Sequence, residues 1–129
     1  MNAVPHIEPW VHEFVRLEPH LESALEYAGG THTAADVYEG VIAGDFQFWP
    51  GEESVIITQL VENPRKKVCH YFLAGGNLVE LERMAESVEK WAKEHGCVAA
   101  TLTGRPGWKK SFLRDQGYEI EGVAMIKEL

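Results

Sequence analysis

No run of residues in this 129-residue chain approaches the roughly 18 consecutive apolar positions of a membrane-crossing helix. Its first ten residues, MNAVPHIEPW, contain no basic region followed by an apolar stretch, so the expectation is a protein that stays in the cytoplasm and has no membrane partner. Cysteine is scarce. Cys69 and Cys97 are the only two, and each falls in a segment that reads as a strand, which suits small buried residues in a reducing compartment better than a bridge. Basic residues are outnumbered, 12 against 20 acidic ones, and the formal net charge of −8 disfavours nonspecific contact with nucleic acid. Metal chemistry is not expected either. His12-Glu13 begins like a zinc-protease motif, but Arg16 stands where the second histidine belongs, and the six histidines show no pair at ligand spacing with a cysteine pair. Neither a G-x-S-x-G nor a Cys-His signature is visible. Repeats, low-complexity tracts and linkers are also missing, so residues 1–129 read as one domain, long enough to bury a core without metal or disulfide. With 45% hydrophobic and 25% charged residues the chain is globular rather than disordered.

The most informative stretch lies between Lys67 and Tyr118. Residues 68–74 (VCHYFLA) are apolar and rich in β-branched and aromatic side chains, as in a buried strand, and Gly75-Gly76-Asn77 stops them. Leu78, Leu81, Met84, Ala85, Val88, Trp91 and Ala92 then recur every three or four residues and predict an amphipathic helix over 78–95. Asn77 can cap it, with Glu80 placed for a capping box, and His95-Gly96 supplies its stop. Residues 97–103 (CVAATLT) read as a second short strand, paired over 98–103, and a helix of this length between two strands implies a parallel, right-handed crossover.

Upstream, residues 1–7 suggest a short edge strand limited by Pro5. Two helical segments, 8–17 and 20–28, are expected on either side of Pro19, with Trp10, Val11, Phe14 and Val15 on one face of the first. A third helix over 34–43 has Thr33 as its cap and Val37, Val41 and Ile42 inward. Segments 45–49 and 54–62 then precede the central strand as an antiparallel meander with Pro-Gly and Asn-Pro turns. Residues 118–128 read as a last strand, or two broken near Gly122, that covers the edge beyond 98–103. The fold class is therefore α/β (α+β): one mixed, curved sheet, helices on both faces, and a parallel βαβ unit at its centre.

The order strand, glycine turn, helix ending in WAKEHGC, strand, short helix and FLRDQGY resembles the second half of a GNAT-fold acyl-CoA N-acyltransferase, over roughly the last half of the chain. Within that family Gly104-Arg105-Pro106-Gly107-Trp108 resembles a segment of small GNAT-like proteins encoded in bacteriophage genomes. The resemblance implies a coenzyme A pyrophosphate cradled after the central strand by an Arg- or Gln-led glycine signature. Here that place holds only Ala74-Gly75-Gly76-Asn77, and Leu113 stands where the family has a tyrosine acid. If acetyl-CoA or another acyl-CoA binds, the implied contacts are backbone amides near Leu73, Ala74, Gly75, Gly76 and Asn77. A basic group of Arg105, Lys109 and Lys110, with Arg114 beside it, is expected to leave the sheet at that same end and to receive an anion. Glu80 and Glu82 would oppose a phosphate there, although glutamates in a first turn ordinarily complement the helix dipole. Glu62 and His70 are the weak catalytic candidates, either one a base toward an amine, with a packed structural histidine as the plainer account of His70. Two functions follow from the resemblance. One is a phage-type, non-catalytic GNAT-fold protein with a degenerate acetyl-CoA site, partnered by a virion or host protein, carried in the host cytoplasm or virion and open to self-association. The other is an active N-acyltransferase.

Overall fold

The structure, a computed structural model, describes residues 8–103 and 112–129. The expected edge strand at 1–7 and the basic residues Arg105, Lys109 and Lys110 lie outside them, as does Gly104-Arg105-Pro106-Gly107-Trp108. Helices α1 (Pro9–Leu25) and α2 (Ala34–Ala43) come first, followed by strands β1 (Gln47–Pro50), β2 (Ser54–Glu62) and β3 (Lys67–Gly76). Helix α3 (Leu78–Glu94), strand β4 (Ala99–Leu102) and a one-turn helix α4 (Phe112–Asp115) complete the order.

The strands form one sheet in the order β1-β2-β3-β4; β1/β2 and β2/β3 are antiparallel, and β3/β4 are parallel as the crossover helix requires. Strand alternation divides the core. Val55, Ile57 and Leu73 meet Phe14, Leu17, Leu21 and Val37 of α1 and α2 on one face, while Ile56, Cys69 and Tyr71 meet Leu81, Val88 and Ala92 of α3 on the other. Both cysteines are free and buried, and burial pushes the Cys69 thiol up to about 11. The β2/β3 register skips at Phe72: Ile57 faces Leu73 and Thr58 faces Tyr71. This bulge lets Tyr71 and Leu73, two residues apart, serve opposite faces.

Four sequence expectations need correction. Pro19 does not divide two helices; α1 runs through it unbroken. Phe14, Leu17, Leu21 and Leu25 make one continuous buried stripe, whereas Pro19 and Val15, whose carbonyl would have bonded residue 19, are exposed on the far side, where water can satisfy the freed carbonyl. Val15 therefore points outward, as does Ile42 of α2, whose contact with the core is made by Ala34 and Val37 with Tyr38 packed beside them. Residues 26–28 turn rather than extend the helix. The fourth correction is at the end of the chain: residues 119–129 carry no strand and are exposed throughout.

Candidate functional site

The carboxyl end of β3 is where the sequence places its anion site, and the chain there is short. Gly75 and Gly76 are still strand, opposite Val55 and Ser54 of β2, and Asn77 alone joins β3 to α3. Each glycine answers a packing demand. A Cβ on Gly75 would fall under 3.0 Å from the backbone carbonyl oxygen of His20 in α1, and Gly76 adopts φ +123° against the backbone at Glu53 and Ser54. Two of the four amides at the helix start are bonded within the chain. Asn77 N–H donates to Ser54 Oγ at 2.9 Å, and Asn77 Oδ1 accepts from Glu80 N–H at 3.0 Å.

Only half of the expected capping box therefore forms. The Glu80 carboxylate does not return to Asn77; it accepts from Glu52 N–H at 2.8 Å and Glu53 N–H at 2.9 Å in the turn between β1 and β2. Arg16 of α1 holds the same turn by its carbonyls, donating to Gly51 O at 2.7 Å and to Glu52 O, while paired with Glu13 at 2.5 Å. A cation from one helix and an anion from the other thus grip the two polarities of one turn. Hydrogen bonds from the Ser54 hydroxyl and the Glu53 and Glu52 amides keep the Glu80 carboxyl below its ordinary range. The grip of Arg16 and Glu80 on the turn at 51–53, and the bond of Ser54 to Asn77, were not read from sequence, because these partners are at least 23 residues apart.

The parallel pairing is shorter than β3 itself. Pairing runs from Val68↔Ala99 to Tyr71↔Leu102 and stops, although β3 continues to Gly76. A cavity of about 130 Å³ lies on the α3 face near the last rung of this pairing, lined by Tyr71, Ala74, Leu81, Leu102 and Leu113 among others. Sites for drug-sized ligands occupy about 300–1,000 Å³, so this space suits a small apolar group. Leu113, the residue at the family's tyrosine position, is buried against it. Next to it, Tyr71 and Tyr118 both donate to Glu89 Oε2, at 2.9 and 3.0 Å. Burial raises both phenols above their ordinary values, so they are neutral donors.

The two weak catalytic candidates do not meet. His70 is half-buried, shares a 2.9 Å hydrogen bond with its cross-strand neighbour Thr101, and is held below its ordinary pKa by burial. Glu62 is exposed at the last rung of β2, opposite Lys67, three rungs from the Gln59↔His70 pair, and strand alternation puts it on the other face. No group of metal-ligating side chains occurs among the described residues. No helix among them is long and apolar enough to cross a membrane. A second concavity, open and shallow at about 890 Å³, lies between α2 and β1, with Asp36, Glu39 and Asp45 on its walls and His32 and Phe46 in its lining.

With this arrangement in view, solved structures supply the comparison. A tetramutant of a Bacillus halodurans protein superposes with a TM-score of 0.64 at 15% identity over 92% of this chain and 94% of the other. A GNAT family acetyltransferase from Staphylococcus aureus gives 0.61 at 13% identity over 92% and 93%. A ribosomal-protein-alanine N-acetyltransferase from Brucella melitensis gives 0.63 at 10% identity over 92% and 95%. The fold is GNAT-like. The likeness takes in nearly the whole chain, including the N-terminal helices that the sequence resemblance did not reach. No protein-family profile matches the sequence, and no curated protein does.

Proposed function

We propose that this is a GNAT-fold protein of the kind carried in bacteriophage genomes, in which the acyl-CoA site is degenerate and the scaffold serves as a non-catalytic binding component, in a virion or against a host protein. One observation carries the reading: the single-residue connection at Asn77 leaves no loop to wrap a pyrophosphate. Asn77 N–H and Glu80 N–H are already bonded to Ser54 and Asn77, and the Glu80 carboxylate stands at the same helix start. A second anion brought there would meet like charge and find these amides taken. The start of α3 thus offers the pyrophosphate of coenzyme A two amides fewer than an open helix N-terminus, beside a carboxylate. Leu113 points the same way, since hydrocarbon supplies no proton to a leaving thiolate, and loss of a general acid lowers rates by about 10²- to 10⁴-fold.

The alternative is an active N-acyltransferase moving an acyl group from acyl-CoA to an amine. The small apolar cavity beside the last rung of the β3/β4 pair favours that reading. Calorimetric titration with acetyl-CoA, together with an acyl-transfer assay on a panel of amines, separates the two. The expected outcome is weak or no binding and no turnover. Tight, saturable binding with turnover of an amine overturns the non-catalytic reading. Any anion binding that survives is expected to depend on Arg105, Lys109 and Lys110, and equal binding by a variant with all three changed to alanine would refute that assignment.

A further inference from the structure

Among the described residues there is a sheet edge without a strand beside it and a strand-like sequence outside the sheet. Strand β4 is the edge next to β3, and no described residue pairs with its outer side. It is also unguarded. From Ala99 to Leu102 it has no charge and no proline, whereas the opposite edge strand, β1, ends in Pro50. Both of its faces are incompletely covered: Ala99 is exposed, and Ala100, Thr101 and Leu102 are only half-buried, although they flank a central parallel strand. Parallel strands normally lie deep beneath cover on both sides.

The segment after Tyr118 has the complementary defect. Val123, Ala124, Met125 and Ile126 are apolar at consecutive positions, so a strand made of them presents hydrocarbon on both faces, as a strand buried within a sheet does. Yet Val123 is 79%, Met125 92% and Ile126 90% exposed. The segment leaves the body from a fixed point, because the Tyr118 hydroxyl is bonded to Glu89 on α3, but it does not return to β4 of its own chain.

We propose that β4 and residues 119–129 are the two halves of a self-interaction surface: the C-terminal segment of one copy pairs with β4 of a second copy, and the second copy reciprocates. A reciprocal exchange of this kind is closed and two-fold, so it satisfies both edges at once and leaves no growing end. It pairs the backbone groups along the outer side of β4 and brings Val123, Met125 and Ile126 against the half-covered faces beside Ala100 and Leu102.

The test uses the full chain. Sedimentation across a dilution series is expected to show twice the monomer mass at high concentration, with hydrogen exchange at residues 120–128 slowed in that species and fast after dilution. A Met125→Glu, Ile126→Glu double variant is expected to be monomeric with an unchanged far-UV circular dichroism spectrum, since both side chains are exposed in the single chain. The proposal is overturned by a wild-type chain that is monomeric at every concentration, including one whose segment is protected on its own edge. It is equally overturned by a dimer that survives the double substitution, or by one in which residues 120–128 exchange as fast as free peptide.

Discussion

Replacing Gly75 by alanine separates a packing glycine from a ligand-binding one. Gly75 is not in the left-handed region, so the backbone accepts alanine and the effect is steric. The new methyl would fall under 3.0 Å from His20 O and at 3.3 Å from Ala24 Cβ. His20 O is helix backbone, so relief requires α1 to move off the sheet. That movement loosens Leu17 and Leu21, each 1% exposed, where they meet Val55 and Leu73. Overpacking costs about 1–3 kcal/mol, and an obstacle that cannot rotate away puts this case near about 3. Against this, alanine restricts the unfolded chain and returns about 0.4–1 kcal/mol. The net loss is then about 2 kcal/mol. For a chain of 129 residues, intermediate between the sizes for which 1 kcal/mol shifts the melting temperature by about 4–8 °C and about 2–4 °C, Tm should fall by roughly 8 °C. Thermal and urea melts followed by circular dichroism measure it. An unchanged or raised Tm, accompanied by altered acetyl-CoA binding, would refute the packing account and return Gly75 to a ligand loop.

The remaining predictions concern single side chains. Glu80→Gln should weaken the grip on the turn at 51–53 by about 1–2 kcal/mol, the scale of charge-assisted bonds to two amides. Because the Glu80 carboxyl titrates below its ordinary 4.5 in the folded chain, its contribution is complete above that pH and is lost as the pH falls through the lower folded value. The acid limb of a Tm-against-pH curve should therefore be shallower in the variant, and parallel curves would contradict the assignment. Burial holds His70 below its ordinary 6.5, so its contribution is present above pH 6.5 and declines as the pH falls from there toward the folded value; His70→Gln should remove that step. Trp91 is half-buried, edge-on to Trp49 at 5.3 Å, so Trp91→Ala should cost about 2–3 kcal/mol, below the range for a fully buried tryptophan. Equilibrium unfolding in urea checks it, and an unaltered midpoint would mean the indole packs on nothing that matters.

The elements whose signals are local were legible from the sequence. The stripe from Leu81 to Ala92, the Asn77 and Thr33 caps and the apolar run of β3 specify α3, α2 and the central strand through contacts a few residues apart, and the parallel pairing of β3 with β4 follows from the length of helix between them. The sequence also carried the pair Gly75-Gly76, but a glycine reads alike whether it frees a loop for a phosphate or makes room for a helix. The packing use came into view only with the approach of His20 and of the turn at Glu53. Pro19 misled for the same reason. Its local preference is to break a helix, and that preference gave way to Leu17, Leu21 and Leu25, which are buried on the opposite side of α1 against strands far along the chain. The cap at Glu80 became a clasp on Glu52 and Glu53, and Tyr71 and Tyr118 converged on Glu89, across separations that no local pattern encodes. The sequence alone determined the nature and order of most elements, since hydrophobic period and capping act within a turn or two. Tertiary structure decided what the polar residues do, because their partners are brought close only when the sheet and its two helical faces assemble.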